Sequence, residues 1–138
     1  LDFESVKMLD LFGGTGNHCY EFVSRGCTDA TYVDKFPGCV QFVRKTAAEL
    51  KIEPCLKIFQ MDVFRFVEFA TEQYDYIFAG PPHGLPTIDI IPDLIFEKKL
   101  LRPEGLFVLE HNPHHKFLEH PNLVDVRNYG QTYFSFFG

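Results

Sequence analysis

The stretch Asp10-Leu11-Phe12-Gly13-Gly14-Thr15-Gly16 decides the fold that this sequence predicts. The apolar residues 6–12 have the composition of a buried strand, and residues 17–25 follow a helical pattern. Glycines in a strand-to-helix turn let the backbone approach a ligand, and the helix N-terminus offers free N–H groups. The stretch therefore predicts a site for an anionic or nucleotide-like ligand.

The composition is typical of one globular domain. The 138 residues are 46% hydrophobic and include 16 Phe, and a chain of this length buries about two-thirds of its unfolded surface. The net charge of −6 gives no general basic face for nucleic acid, so an RNA partner would need a local patch, further sequence or another protein. Because the chain begins with Leu, we expect one domain over residues 1–138 with an N-terminal segment missing.

Metal-binding spacings are absent from the sequence. The cysteines never form a C-x-x-C pair, and the histidines near the C-terminus share one loop rather than one helix face. These residues are Cys19, Cys27, Cys39, Cys55, His111, His114, His115 and His120. Without a signal peptide or a membrane-length apolar run, we expect reduced thiols, no metal, no membrane contact and a cytoplasmic location.

Strands and helices alternate along the predicted chain. The predicted strands cover residues 6–12, 29–33, 56–60, 74–79 and 106–110, and the predicted helices cover residues 17–25, 37–52, 63–71 and 92–101. A turn over 102–105, a polar loop over 111–121 and an antiparallel hairpin over 123–137 complete the chain. The alternation predicts a doubly wound, mainly parallel α/β sheet, whose ligands bind at the carboxyl ends of the strands.

Two acids follow predicted strands at that edge. Asp34 lies 20 positions after Gly14, where a carboxylate can accept both hydroxyls of a ribose; a solvent-facing acid is the alternative. Asp62 can accept from an adenine amino group, with the Val63 N–H on a ring nitrogen, or it can only cap the following helix. Lys35-Phe36 could cover one face of the adenine ring.

The full dinucleotide pattern G-x-G-x-x-G is incomplete in this chain. It would need Gly at position 19, where Cys19 stands. This weakens a pyrophosphate site but not a site for a nucleoside with a charged amino-acid tail. An NAD-dependent oxidoreductase, supported by the glycine turn and Asp34, stays an alternative.

The segment Gly80-Pro81-Pro82-His83 is the candidate reactive loop. Two prolines stiffen the backbone and leave carbonyls without competing local donors, so the carbonyls can accept from a substrate amino group. His83 could stack on a base or carry a proton, while a stiff surface turn is the structural alternative. Glu110, at the end of the next strand, is expected to help close the pocket.

Several motifs together resemble the RsmD-like methyltransferases. They are D-x-F-x-G-T-G, D-V-F after strand three, P-P after strand four, V-L-E-H, and R-x-Y-G-x-T-x-F-S-F-F, and they extend from about residue 9 to residue 137. These bacterial enzymes methylate a guanine N2 in 16S ribosomal RNA with S-adenosylmethionine. The resemblance implies a class I methyltransferase fold with seven strands in the order 3-2-1-4-5-7-6, and 16S rRNA or the small ribosomal subunit as partner.

The resemblance also implies roles for the residues of the strand ends. Asp10 and the glycine turn would hold the methionine part of the cofactor, Asp34 the ribose, and Asp62 with Val63 the adenine. The loop from Gly80 to His83 would hold the target guanine. The complete set of expected cofactor contacts is Asp10, Phe12, Gly13, Gly14, Gly16, Asp34, Lys35, Asp62 and Val63, and the expected catalytic set is Gly80, Pro81, Pro82 and His83.

The chain departs from the family pattern at both ends of the reactive loop. The family has Asp-Pro-Pro-Tyr or Asp-Pro-Pro-Phe, whereas this chain has Gly80 and His83. Losing an acceptor of this kind costs about 10²–10³ in rate. A relative that binds cofactor or ribosome without turnover is therefore an alternative, and Gly80→Asp is expected to raise the activity of a weakened enzyme. Gly13 in place of the family's Ala is expected to be a mild change.

Overall fold

The computed structural model describes residues 2–138, which form one seven-stranded sheet with helices on both faces. Leu1, the first residue of the predicted domain, lies outside this range. The strands are β1 (Lys7–Leu11), β2 (Asp29–Asp34), β3 (Leu56–Gln60), β4 (Tyr74–Ala79), β5 (Leu101–His111), β6 (Leu123–Tyr129) and β7 (Thr132–Phe137). The helices are α1 (Asn17–Ser24), α2 (Pro37–Leu50), α3 (Val63–Phe69) and α4 (Ile91–Glu97), and short 3₁₀ turns cover Phe3–Ser5, Glu53–Cys55 and Ile88–Ile90.

The strand order is β3-β2-β1-β4-β5-β7-β6, as predicted. Strands β1 to β5 pair in parallel, and β7 pairs antiparallel with both β5 and β6. Because the parallel strands all point the same way, their carboxyl ends share one edge of the sheet. The predicted class I methyltransferase fold, with its C-terminal antiparallel hairpin, is confirmed.

Each face of the sheet has its own apolar core. Met8 of β1 packs with α1 and α2 on one face, whereas the next residue, Leu9, packs with α3 and α4 on the other. Successive side chains of a strand point to opposite faces, so a strand covered on both sides must be apolar throughout. This explains why the segment before the glycine turn is mostly apolar, with Lys7 near its start and the buried Asp10 as its charged residues.

The segment between α4 and β5 differs from its prediction. The helix ends at Glu97 because Lys99 has a left-handed φ of 53°, and β5 already begins at Leu101. The predicted turn over 102–105 is an irregular part of β5. Tyr74 of β4 pairs with Leu101 but Tyr76 pairs with Leu106, so the intervening residues bulge out of register.

Three further boundaries differ from the prediction. Helix α2 ends at Leu50 because Lys51 adopts a left-handed φ of 58°, and α3 ends at Phe69 because Ala70 is extended. His111, expected in a polar loop, is the buried last residue of β5. Its ring nitrogens lie 2.7 Å from Ser135 Oγ and 2.8 Å from the Asn112 carbonyl, and these two partners satisfy the imidazole in the core.

Candidate active site

A cavity of about 280 Å³ lies at the carboxyl edge, where the polypeptide leaves β1, β2, β3 and β4. It brings together predicted residues from every one of these four strand ends. Its predicted lining residues are Phe12, Gly14, Asp34, Lys35, Asp62, Val63, Gly80 and Pro82. Phe36, Cys39, Phe64 and Leu85 complete the wall. The structure therefore brings these predicted residues together at one cavity.

Alternate residues in and beside the glycine turn have a left-handed backbone conformation. These are Phe12, Gly14 and Gly16, with φ values of 59°, 56° and 82°. A non-glycine residue at positive φ is strained, and such strain is concentrated at functional sites. Phe12 lines the cavity, and its ring meets that of Phe64 edge to face at 6.2 Å. Phe12 therefore both lines the cavity and changes the direction of the backbone after β1.

Asp34 fixes the glycine turn to the end of β2. Its Oδ2 accepts from the Gly14 N–H at 2.9 Å and its Oδ1 accepts from the Phe36 N–H at 2.9 Å. The residue is 7% exposed, so the alternative of a solvent-facing acid is wrong. A carboxylate oxygen has two lone pairs, so each oxygen retains one acceptor position for a ligand hydroxyl.

Tyr32 occupies the space in which a side chain at position 13 would lie. A Cβ built on Gly13 would be 2.3 Å from two carbons of the Tyr32 ring. The Tyr32 hydroxyl also donates to the Gly14 carbonyl at 2.6 Å. The Tyr32 ring thus occupies the place that the methyl group of the family's Ala would take, and the expectation that Gly for Ala at position 13 is a mild change stays a prediction.

Asp10 lies in the layer between the sheet and α1, and it does not line the cavity. It is buried, and the Cys19 thiol donates to its Oδ2 at 3.5 Å. Burial raises the pKa of Asp10 to about 7; the Cys19 hydrogen bond opposes this rise and the nearby Asp34 charge adds to it. Gly13 and Gly16, two other expected cofactor contacts, also lie outside the lining.

Asp62 caps α3 and lines the cavity at the same time. Its Oδ2 accepts from the Arg65 N–H at 3.2 Å, which is the geometry of a helix N-cap. The carboxylate is exposed to the cavity, while the side chain of Val63 is buried behind it. The two interpretations of Asp62 are therefore compatible in one structure.

The reactive loop is only partly in the cavity. Gly80 and Pro82 line it, and the Gly80 N–H donates to the Leu11 carbonyl at 3.3 Å, which ties the loop to β1. Pro81 is half-buried outside the lining, and His83 is exposed. The structure thus brings the start of the loop to the site but leaves the His83 ring outside the wall.

The sequence left Cys39 and Leu85 unrecognised as wall residues. Neither belongs to a motif, and each reaches the cavity only through the packing of α2 and of the segment after the reactive loop. Phe64 could have been found from the D-V-F motif, because the third residue of that motif follows the two expected adenine contacts.

The lining has a definite chemical character. Its aromatic and aliphatic side chains can pack against a flat ring. The carboxylates of Asp34 and Asp62 can accept hydrogen bonds from hydroxyl or amino groups, and their negative charge disfavours a phosphate. The Lys35 ammonium lies 5.4 Å from the centre of the Phe36 ring, which keeps it beside the wall. This donor and acceptor set fits an adenosine that bears a positively charged tail.

Two other kinds of functional feature, a membrane-spanning helix and a metal-binding cluster, can be checked within the described residues 2–138. Within residues 2–138, no helix is both long enough and apolar enough to cross a bilayer. The same residues bring no three His, Cys, Asp or Glu side chains together as a metal-binding group. His115 and His120 instead pair with Asp89 and Asp93, at 2.7 Å and 3.0 Å.

Relatives of known structure share this architecture. A conserved hypothetical protein of Streptococcus pyogenes superimposes with a TM-score of 0.84 at 24% identity, covering 96% of this chain and 84% of its own. An RNA methyltransferase of Salinibacter ruber, solved with S-adenosyl-L-homocysteine, superimposes with a TM-score of 0.74 at 15% identity and covers 97% and 80%. At these identities the likeness establishes the fold.

Sequence comparison identifies the family. YlbH of Bacillus subtilis (strain 168), provisionally named an rRNA methyltransferase, is 27% identical over 113 residues, which are 80% of this chain and 61% of YlbH. The chain thus spans about three-fifths of the length of that relative. The family model described as conserved hypothetical protein 95 matches residues 2–138. Because this match covers nearly the whole sequence, the chain belongs to that family, the RsmD family that its motifs resemble.

Proposed function

We propose that this protein is an S-adenosylmethionine-dependent methyltransferase that modifies the exocyclic N2 of a guanine in 16S ribosomal RNA, within a small-subunit particle. The observation that carries the proposal is the cavity itself. It joins a glycine turn and two strand-end carboxylates to a Pro-Pro loop, in a chain of the RsmD family. The complex of the Salinibacter relative with S-adenosyl-L-homocysteine supports the same cofactor class.

The residues of the cavity suit that cofactor. Asp34, with one free lone pair on each oxygen, would take the ribose hydroxyls, and Asp62 with the Val63 N–H would take the adenine. Asp10 and the turn through Gly16 would contribute to the methionine end. When bound, the cofactor supplies an electrophilic methyl group on a sulfonium. All other parts of the reaction fall to the side chains and backbone of this protein.

The chain's own contribution is to place and desolvate a weak nucleophile. An exocyclic amine is a poor nucleophile because its lone pair is delocalised into the ring, so its orientation matters. The expectation that neither proline carbonyl has a competing donor is wrong for Pro82, whose carbonyl accepts from the Leu85 N–H at 3.2 Å. Within residues 2–138 no backbone N–H donates to the Pro81 carbonyl, which can therefore accept one amine hydrogen. Holding the amine and the methyl donor together in a pocket that excludes water supplies most of the rate acceleration expected of such an enzyme.

The residue at position 19 does not support the oxidoreductase alternative. Cys19 stands where the dinucleotide pattern needs a third glycine for close helix packing, and its side chain is fully buried against Met8 and Asp10. Family membership points the same way. A methyltransferase of ribosomal RNA would work in the cytoplasm, and with a net charge of −6 it would need a local patch, further sequence or partners in the particle to hold the RNA.

The test combines methyl transfer with cofactor binding. We expect labelled methyl groups to enter undermodified small-subunit particles and to be recovered as N2-methylguanine after digestion. We expect calorimetry to show binding of S-adenosylhomocysteine and none of NADH; binding of NADH alone would refute the proposal. If cofactor binds but no particle is methylated, the protein is either the non-catalytic alternative or an enzyme with a substrate other than the small-subunit particle.

A matched pair of variants on β2 tests the site itself. Asp34→Asn removes a charged acceptor of the cavity and should weaken S-adenosylhomocysteine by about 10–100-fold. Asp29→Asn alters an acid at the other end of the same strand, beside Lys7 and Lys57, and should leave the affinity unchanged. Equal affinities of the two variants would place the cofactor elsewhere.

A further inference from the structure

Gly80 lacks a side chain, but a carboxylate from the neighbouring strand reaches the same place. A Cβ built on Gly80 would lie 3.9 Å from Oε1 of Glu110 and 3.2 Å from Cε1 of Phe78. An aspartate at position 80 would carry its own oxygens two bonds from that Cβ. The Glu110 oxygen is therefore only about 1.5 Å farther from that Cβ than an aspartate oxygen would be.

The sheet register determines this arrangement. Strands β4 and β5 are parallel neighbours, and Ala79 pairs with Leu109, so Gly80, the first residue after β4, lies beside Glu110, which is still paired with Phe134 of β7. Leu109 is buried in the core formed with α3 and α4, so the adjacent Glu110 points to the opposite face. The side chain of Phe78, two residues before Gly80, lies on that face as well.

The Glu110 carboxylate is free to act as an acceptor. Among residues 2–138, no hydrogen bond or ion pair occupies it, although the side chain is half-buried. The Phe78 ring flanks the space between Glu110 and Gly80, and Phe134 of β7 lies opposite Glu110 across the strand pair. An unpaired carboxylate in partly apolar surroundings is a strong acceptor for an amine.

We propose that Glu110 supplies the carboxylate acceptor for the target amine, in place of the aspartate that this chain lacks at position 80. This inference rests on the proposed function. The amine nitrogen forms the bond to the methyl carbon, and the carbon–sulfur bond breaks with its electron pair left on sulfur. One amine proton passes to Oε1 of Glu110 and from there to water, so charge and atoms balance.

The inference changes what Gly80→Asp should do. In the wild-type background a second carboxylate would stand beside Glu110, and two like charges so close disfavour each other's ionised forms. The new Cβ would also press on the Phe78 ring. Gly80→Asp alone should therefore bring no gain, whereas Gly80→Asp in a Glu110→Gln background should restore the missing acceptor.

The first test measures methylation of undermodified small-subunit particles by four proteins. Glu110→Gln keeps the shape of the side chain and should lower kcat by about 10²–10³. Gly80→Asp combined with Glu110→Gln should have a kcat about tenfold higher than that of Glu110→Gln alone. Glu104→Gln, an exposed glutamate on the same strand, is the control and should match wild type. Calorimetry with S-adenosylhomocysteine should give equal affinities for wild type, Glu110→Gln and Glu104→Gln, which shows that the fold and cofactor site of these three proteins are intact.

The second test needs no turnover. Guanosine and inosine differ only in the 2-amino group, so their binding to the protein with S-adenosylhomocysteine, followed by NMR titration, isolates the acceptor. Wild type should prefer guanosine by about tenfold, and Glu110→Gln should show a smaller preference, because a neutral amide oxygen is a weaker acceptor than a carboxylate.

The outcomes separate the inference from the proposed function. Equal kcat of wild type and Glu110→Gln, or no guanosine preference in wild type, overturns the role of Glu110 and leaves the proposed function standing. A wild-type protein that binds S-adenosylhomocysteine and prefers guanosine but methylates no particle overturns the proposed 16S substrate while supporting Glu110 as the amine acceptor.

Discussion

Replacing Asp10 with Asn is expected to make the stability of the protein less dependent on pH. Burial raises the pKa of Asp10 from 3.8 to about 7 in the folded chain, against the opposing hydrogen bond from Cys19. The unfolded chain releases this proton near pH 3.8, while the folded chain keeps it until about pH 7. Unfolding is therefore increasingly favoured as the pH rises between these values.

The size of the effect follows from the pKa difference. One pKa unit corresponds to about 1.4 kcal/mol, so the preference for protonated Asp10 contributes about 4 kcal/mol below pH 4 that is lost once the pH exceeds 7. Between pH 5 and pH 8 the loss is about 3 kcal/mol of unfolding free energy. An asparagine does not ionise, and its side-chain oxygen can still accept from Cys19.

The assay is urea unfolding of wild type and Asp10→Asn at pH 5, 6, 7 and 8. We expect the free energy of unfolding of the variant to gain about 3 kcal/mol relative to wild type over this range. Other titrating groups cancel in the difference, and Asp125→Asn, at an exposed position of β6, should run parallel to wild type. A constant difference between Asp10→Asn and wild type from pH 5 to pH 8 would refute the reasoning.

Two further predictions follow from the buried contacts. Gly13→Ala should lower the free energy of unfolding by about 1–3 kcal/mol because its methyl group meets the Tyr32 ring, and adding Tyr32→Leu should recover part of the loss; an unchanged urea midpoint for Gly13→Ala would contradict the overlap. Burial lowers the pKa of His111, so its neutral ring supports the fold above pH 6.5 and this support is lost as the pH falls through its folded pKa. NMR titration of the ring should place its midpoint below 6.5, and a midpoint at or above 6.5 would count against burial as the controlling influence.

The fold was predictable because local patterns and sheet topology agree. The apolar run before the glycine turn, the alternation of strands with helices and the hairpin about Gly130 each have a local signature. The start of β5 was not predictable in this way. Pro103 and Gly105 are typical of a turn, yet pairing with β4 and the Arg102–Asp75 ion pair at 2.9 Å hold the segment in the sheet as a bulge.

The candidate site was predictable in its acids and its glycines but less so in their contacts. Asp34 and Asp62 follow strands, and parallel topology is enough to bring strand ends to one edge. Their contacts depend on turn geometry, which residue types alone do not specify. Asp34 accepts from two backbone N–H groups, and Asp62 both caps α3 and lines the cavity.

By itself, the sequence determined the alternating elements, the glycine turn and the set of polar residues at the strand ends. Only the tertiary structure decided that Tyr32 fills the space beside Gly13, that Asp10 is buried away from the cavity, and that Glu110 stands beside Gly80. The physical reason is strand pairing. Contacts between residues far apart in the chain are set by register and by which face each side chain takes, and neither is encoded in a short motif.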